Sequence, residues 1–142
     1  MFQCTALLLS LISADDPTST ELDRHQGIWN VVASVREGKA IDRAIAQSIV
    51  RIVEGNRVVW KRDGKSFAGT KIVLDPKADP PTIDVIPEGG PAFAKRVLGI
   101  YQLSGDELMI CMADADKPRP REFVSGEAGS GLTLQTFRRA GP

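Results

Sequence analysis

From Gly27 to the C-terminus, the chain is a series of short segments in which apolar and polar residues alternate. The first segment, GIWNVVASVRE, alternates so that one face carries Trp29, Val31 and Ala33 and the other carries Ser34. Successive side chains of a β-strand point to opposite faces, so a period of two predicts strands with one buried face. Pairs such as Gly55–Asn56 and Asp63–Gly64 separate the segments and favour the tight turns of β-hairpins. The pattern therefore predicts an all-β chain.

Nine such segments follow one another with short connections, and a short helix is predicted before them at Thr20–Gln26. Many short, regularly spaced strands are typical of an antiparallel sandwich or barrel. We favour a single closed up-and-down barrel of eight to ten strands over a sandwich. Because the first and last strands of such a barrel must pair antiparallel, their number is even. We therefore expect one segment, REFV (121–124) or SIVRIV (48–53), to lie outside the ring, or a tenth strand to complete it.

The composition excludes several classes of function. The chain has 142 residues, with 18 Lys and Arg against 18 Asp and Glu, and a zero net charge gives no electrostatic reason to expect a nucleic-acid partner. A chain of this length predicts one domain, which we place at residues 20–142. Two cysteines and one histidine are too few for a disulfide framework or a four-ligand thiolate zinc site. Asp114 and Asp116 lack the further oxygen ligands of a calcium loop, so no metal or cofactor is predicted.

The N-terminus carries a different pattern. Its apolar run, Ala6–Ile12, has the length of a signal-peptide core, and the small residues Ser13 and Ala14 follow it. We interpret residues 1–19 as a signal peptide and linker, which predicts an exported protein, periplasmic or extracellular. No Lys or Arg precedes the run, so the alternative is an apolar tail of a cytoplasmic protein. The run is far too short to span a bilayer, and no integral membrane segment is predicted.

Gly27, Ile28 and Trp29 stand between the predicted helix and the first strand, and there they resemble the G-x-W motif with which lipocalins open. In that superfamily the Trp closes one end of the barrel, and an Arg from the end of the last strand lies across it. Arg138 and Arg139 stand at that place here, and Arg139 matches the terminal basic position better. A guanidinium is attracted to the face of an indole and covers it from water. The resemblance implies a structural plug made of Gly27, Trp29 and Arg139 or Arg138.

Further motifs extend this resemblance from about Leu22 to Arg139. They are HQGIWNVVAS, EGKAI, LDPKADPPTIDV, LGIYQLSGDELMICMA, KPRPREF and a late GSG. In this order they are similar to a lipocalin-like domain family of uncharacterised proteins, abundant in planctomycete bacteria, with a calycin-type β-barrel. The chain departs from the family pattern at Lys71, where an aromatic is common, and at Phe93–Ala94, where glycines are usual. The family has no established activity, so the resemblance implies a fold and not a reaction.

Trp60, Tyr101 and Asp84 are the candidate residues for a ligand site in the lumen. A small barrel either fills its interior with side chains or leaves room for one ligand. Trp60 and Tyr101 fit both interpretations, because aromatic side chains also bury for their area alone. Asp84 would orient a polar ligand group or pair with Arg96 if it faced the interior, and on the other face it would be a solvent-exposed strand residue.

No nucleophile or acid–base pair can be assembled, so no catalytic residue is predicted and the protein is not expected to be an enzyme. His25 is the only imidazole, and at a helix end it is more typical of a C-terminal cap. We expect a non-catalytic protein that binds a small, mainly apolar ligand, with IDRAIAQ (41–47) as a lid over the open end. The alternative is a cell-envelope interaction or structural module without a ligand, whose protein partner the sequence does not name.

Overall fold

The structure is a computed structural model, and it describes residues 17–141. Two helices lie in this part of the chain, α1 (Pro17–His25) and α2 (Arg43–Gln47). The strands of the same part are β1 (Gly27–Arg36), β2 (Lys39–Ala40), β3 (Ile49–Glu54), β4 (Arg57–Arg62), β5 (Lys65–Asp75), β6 (Thr82–Pro87), β7 (Val97–Ser104), β8 (Glu107–Ala113) and β9 (Leu132–Arg139).

Eight of these strands form one closed antiparallel barrel. From β3 to β9 each strand pairs with the next along the chain, and β1 closes the ring by pairing with both β3 and β9. The two-residue strand β2 only extends the edge of β1. The prediction of an all-β chain folded as a single antiparallel barrel is confirmed. Of the two doubtful segments, SIVRIV supplies β3, whereas REFV contains no strand and lies outside the ring.

The barrel interior is lined by the apolar side chains of alternate strand positions. Burying a large apolar side chain contributes roughly 1.5–3 kcal/mol, so this inner face supplies most of the stabilising free energy. The largest fully buried apolar members are Trp29, Tyr101, Phe137, Ile83, Leu108, Val53 and Val58.

The alternation in β1 breaks at its centre. The register with β9 shifts between Val31 and Ala33, so that one extra residue bulges from β1. As a result Val32 is 52% exposed, Ala33 is exposed as well, and Ser34 is buried. The prediction that Ala33 shares the inner face with Trp29 is therefore wrong, because one inserted residue reverses every later position of a strand.

Part of the outer wall is also buried. Ile100 and Cys111 are paired across β7 and β8, both are buried, and neither belongs to the interior cluster. The Cys111 thiol donates a hydrogen bond of 3.2 Å to the Val124 carbonyl, in the irregular segment that connects β8 to β9. Burial raises the pKa of this thiol, which keeps it protonated and unreactive.

The N-terminal prediction falls largely outside the described residues. The predicted signal peptide and most of the predicted linker lie in residues 1–16, outside the described residues, while residues 17–19 belong to α1, which is longer than the predicted helix. Among residues 17–141, neither helix has the length and apolar character that crossing a membrane requires.

Candidate functional site

One end of the barrel is closed by an indole covered by a guanidinium. Trp29 is 0% exposed, and its Nε1–H donates to the His25 carbonyl oxygen at 3.0 Å. The Arg139 Cζ lies 4.2 Å from the centroid of the Trp29 ring. Arg139 also donates to the carbonyl oxygens of Gln26 at 2.6 Å and Arg24 at 2.9 Å. Since the carbonyls at a helix end have no partner within the helix, these bonds fasten α1 to the last strand.

The two adjacent arginines of β9 have different surroundings. Arg138 is exposed and forms an ion pair with Glu107 at 2.8 Å. Neighbouring residues of a strand point to opposite sides, so only one of the two can reach the plug. Arg139 covers Trp29, as the sequence analysis favours, and Arg138 is not part of the plug. Gly27 lies next to the plug. Its φ of 111° is in the region of backbone conformation that favours glycine.

A polar cluster lies next to the plug, inside the closed end. The Tyr101 hydroxyl donates a short hydrogen bond to the Glu21 carboxylate. The His25 ring meets the Tyr101 ring edge-on, with centroids 4.9 Å apart. Neither ring nitrogen of His25 has a hydrogen-bond partner among the described residues. Although His25 is the last residue of α1, its side chain does not cap the helix, so that interpretation is wrong.

The three candidate lumen residues lie in three different places. Trp60 lines a cavity in the lumen. Tyr101 is buried inside the barrel, but its hydroxyl bonds to Glu21 at the closed end and its ring is not part of the cavity wall. Asp84 lies on the outer wall, because it alternates with the inward Ile83 and Val85. Of the three candidates, only Trp60 lines the lumen cavity, while Tyr101 packs in the core and Asp84 faces outward, which are the two alternatives that the sequence left open.

Asp84 has two cationic partners on the outer wall. Its carboxylate lies 2.7 Å from Arg96 Nε and 2.7 Å from Arg119 Nη1. Arg119 also donates to the Gly99 carbonyl at 2.8 Å. The pairing with Arg96 was anticipated for an inward carboxylate, but it occurs outside. These contacts fasten the 88–96 loop and the segment after β8 to the barrel wall.

The lumen contains a cavity of about 200 Å³. Its wall comes from β3 to β9, and none of its lining residues belongs to β1. The inner part of the wall is made of buried residues, and the outer part is made of half-buried ones. The buried ones are Arg51, Val58, Thr70, Ile72, Ile83 and Ile110, and the half-buried ones are Trp60, Val85, Pro87, Val97, Met112 and Gln135.

The short helix α2 packs at the barrel end opposite the plug. It contacts β1 and β3, and its Ala46 belongs to the interior cluster. The helix therefore lies at the predicted end of the barrel, within the predicted lid segment 41–47. Its residues do not line the cavity, which lies on the other side of the lumen. The helix thus covers the β1 side of this end.

Arg51 stands out in the cavity wall. It lies on the inner face of β3 and is only 2% exposed. Its Cζ lies 5.6 Å from the centroid of the Phe137 ring and 6.0 Å from that of Trp60. Arg51 Nη1 has no hydrogen-bond partner, and no carboxylate pairs with the guanidinium in the described part of the chain. Burial lowers its pKa to about 10, so the group is still positively charged at neutral pH.

Arg51 is not among the residues predicted for the lumen, although its sequence position contains a signal. In SIVRIV the arginine is in phase with Ile49 and Val53, on the face that the alternation assigns to the core. A charged residue at an inward position is rare unless it is paired or functional. That phase could have marked Arg51, but its lack of a partner is visible only in the folded chain.

The buried His25 should make the stability of the fold sensitive to acid. Burial, and then the positive charge of Arg51, lower the pKa of His25 to about 4. Below the ordinary histidine pKa, the unfolded chain binds a proton that the folded chain does not accept until about pH 4. The free energy of unfolding should therefore fall by about 3 kcal/mol from neutral pH to pH 4 through this group alone.

We expect His25→Phe to abolish the part of this acid-induced loss of unfolding free energy that is due to His25. Phenylalanine keeps an aromatic ring against Tyr101 and cannot be protonated. The measurement is urea unfolding of both proteins at about pH 7 and about pH 4.5. His25 is the only histidine in the sequence, so the difference between the two proteins reports this residue directly. Equal loss of unfolding free energy in wild type and variant would contradict the prediction.

No family model, no curated protein and no solved structure matched the chain. Within residues 17–141, no group of three or more His, Cys, Asp or Glu side chains could hold a metal ion. The site is therefore defined by its own geometry: a plugged end, a lumen cavity and, in the cavity wall, a buried arginine with no carboxylate partner between residues 17 and 141.

Proposed function

We propose that this protein is a non-catalytic, lipocalin-like binding protein that takes a small, mainly apolar ligand inside the barrel. The observation that carries the proposal is the lumen cavity of about 200 Å³. Well-packed cores contain few voids larger than a water molecule, so a cavity of this size is unusual for an interior that only stabilises the fold. Its apolar wall with a few polar groups is the composition typical of small-molecule sites.

The cavity volume limits the size of the ligand. A cavity of about 150 Å³ lined by apolar side chains holds benzene, whereas sites for drug-sized molecules span roughly 300–1,000 Å³. The volume here lies between these two. The expected ligand is therefore no larger than a substituted aromatic ring or a short acyl chain.

The half-buried Trp60 provides a direct readout of ligand entry. We expect titration with toluene, hexanamide or hexanoate to change the Trp60 fluorescence and to give 1:1 binding by calorimetry for at least one of these probes. The Trp60→Phe variant should lose the fluorescence change, because the other tryptophan, Trp29, lies in the plug. Native mass spectrometry of protein purified from its own host would identify the natural ligand.

A pair of matched variants tests whether the probes bind in the lumen. Val85→Phe adds a ring to the cavity wall and should weaken probe binding at least about tenfold by occupying the cavity. Val73→Phe adds the same ring to the exposed outer face of the neighbouring strand and should leave binding unchanged. Failure of all three probes to bind, with no ligand recovered from the host, would overturn the proposal and favour an interaction module.

A further inference from the structure

The strongest unexplained feature of the lumen is the charge of Arg51. The side chain is 2% exposed and lines the cavity, yet none of the described carboxylates pairs with it. Buried charges in proteins are nearly always paired, because an isolated ion loses its hydration without compensation. The guanidinium at the cavity wall is therefore a buried cation without an anionic partner among the described residues.

The neighbouring aromatic rings stabilise this positive charge only in part. The Phe137 and Trp60 rings lie 5.6 Å and 6.0 Å from Arg51 Cζ, at the distances of cation–π contacts. Such contacts involve the faces of the rings and leave the N–H groups of the guanidinium free, and Nη1 has no acceptor among the described residues. The rings hold the guanidinium in place, and its free N–H groups match the two oxygens of a carboxylate.

The rest of the wall decides what the anionic group is attached to. Apart from Arg51, only Thr70 and Gln135 among the described residues bring polar side chains to the cavity, and its other described lining residues are apolar. A free inorganic anion would make no apolar contacts with this wall. A molecule with a carboxylate at one end and an apolar body at the other would satisfy both parts of the site.

We propose that the ligand of the cavity is a small organic carboxylate whose carboxylate group binds to Arg51. This inference rests on the proposed function and names the chemical class of its ligand. The volume of about 200 Å³ restricts the class to acids with a short chain or a single ring. The charge of Arg51 also provides the selectivity, because a neutral ligand of the same shape leaves the buried cation without a partner.

The test compares hexanoate with hexanamide, which has nearly the same shape and no charge, by calorimetry at neutral pH. Wild type should bind hexanoate at least about tenfold more tightly than hexanamide. In Arg51→Met this preference should disappear, while Arg51→Lys, which keeps a positive charge, should keep part of it. The exposed control Arg57→Met, on the neighbouring strand β4, should behave as wild type.

The outcomes separate this inference from the proposed function. Equal affinity of wild type for the acid and the amide would overturn the inference and leave the binding function standing. Binding of inorganic phosphate as tight as that of hexanoate would overturn the claim that the ligand needs an apolar body. If neither hexanoate nor hexanamide binds, and toluene does not bind either, the proposed function fails and the inference fails with it. The wild-type comparison needs no variant, so a folding defect in Arg51→Met does not affect it.

Discussion

Replacement of Trp29 by alanine should lower the free energy of unfolding by about 4 kcal/mol or more, a large part of the total stability of a domain of this size. The ring is 0% exposed, so its removal leaves a cavity at the closed end of the barrel. The variant also loses the hydrogen bond from Nε1 to the His25 carbonyl and the stacking surface of Arg139. Urea unfolding followed by circular dichroism measures the change.

The two arginines of β9 provide matched variants for the same prediction. Arg139→Ala removes the cover of the indole and the hydrogen bonds to the carbonyls of Arg24, in α1, and Gln26, just after it, and we expect a loss of about 2–3 kcal/mol. Arg138→Ala, one residue earlier, removes only an exposed ion pair with Glu107 and should cost about 0.5 kcal/mol or less. Equal effects of the two variants, or a loss below about 1 kcal/mol for Trp29→Ala, would show that the plug does not hold the barrel end.

The second large effect is an increase in stability. Burial lowers the pKa of Arg51 from its ordinary value to about 10, so at neutral pH the folded chain holds a charge that the unfolded chain carries more easily. By the linkage between protonation and folding, this lowered pKa reduces the free energy of unfolding by about 3 kcal/mol at all pH values well below 10. Arg51→Met removes the charge and keeps a flexible apolar side chain between Trp60 and Phe137. We expect the free energy of unfolding to rise by about 2 kcal/mol, as measured by urea unfolding at neutral pH.

The control is again Arg57→Met. Arg57 is exposed and paired with Glu88 at 2.9 Å, so its replacement should leave stability unchanged or slightly lower, by about 1 kcal/mol at most. A loss of stability in Arg51→Met would mean that the guanidinium supports the barrel rather than weakening it. A gain in stability together with loss of hexanoate preference would place Arg51 among residues that a fold retains for binding at the expense of stability.

Much of the barrel could be predicted because its signals are local. Alternation in RVVWKR or ELMICMA assigns inward and outward positions within one strand, and turn pairs such as Asp63–Gly64 place the hairpins. The plug was expected only from the resemblance of Gly27 and Trp29 to the G-x-W motif of lipocalins, and the structure places Arg139 over Trp29. Even so, the bulge after Val31 escaped prediction, because it depends on how β1 pairs with β9, about a hundred residues away.

The site residues show where local signals stop. Trp60, Tyr101 and Asp84 were reasonable candidates by residue type, but Asp84 faces outward and the Tyr101 hydroxyl bonds to Glu21, 80 positions before it in the chain. The most informative lumen residue, Arg51, lies in a segment whose membership of the barrel was open. Each of these outcomes depends on which side chains other strands bring to the same point.

By itself, then, the amino-acid sequence determined the class of fold and the succession of hairpins, since strand period and turn conformation depend on neighbouring residues. The indole at the closed end was implied by the resemblance to the G-x-W motif. Only the tertiary structure decided that a cavity remains in the lumen and that no carboxylate of the described chain pairs with the Arg51 guanidinium in its wall. The physical reason is that volume and charge compensation are properties of seven strands closing around one space, and no single strand contains that information.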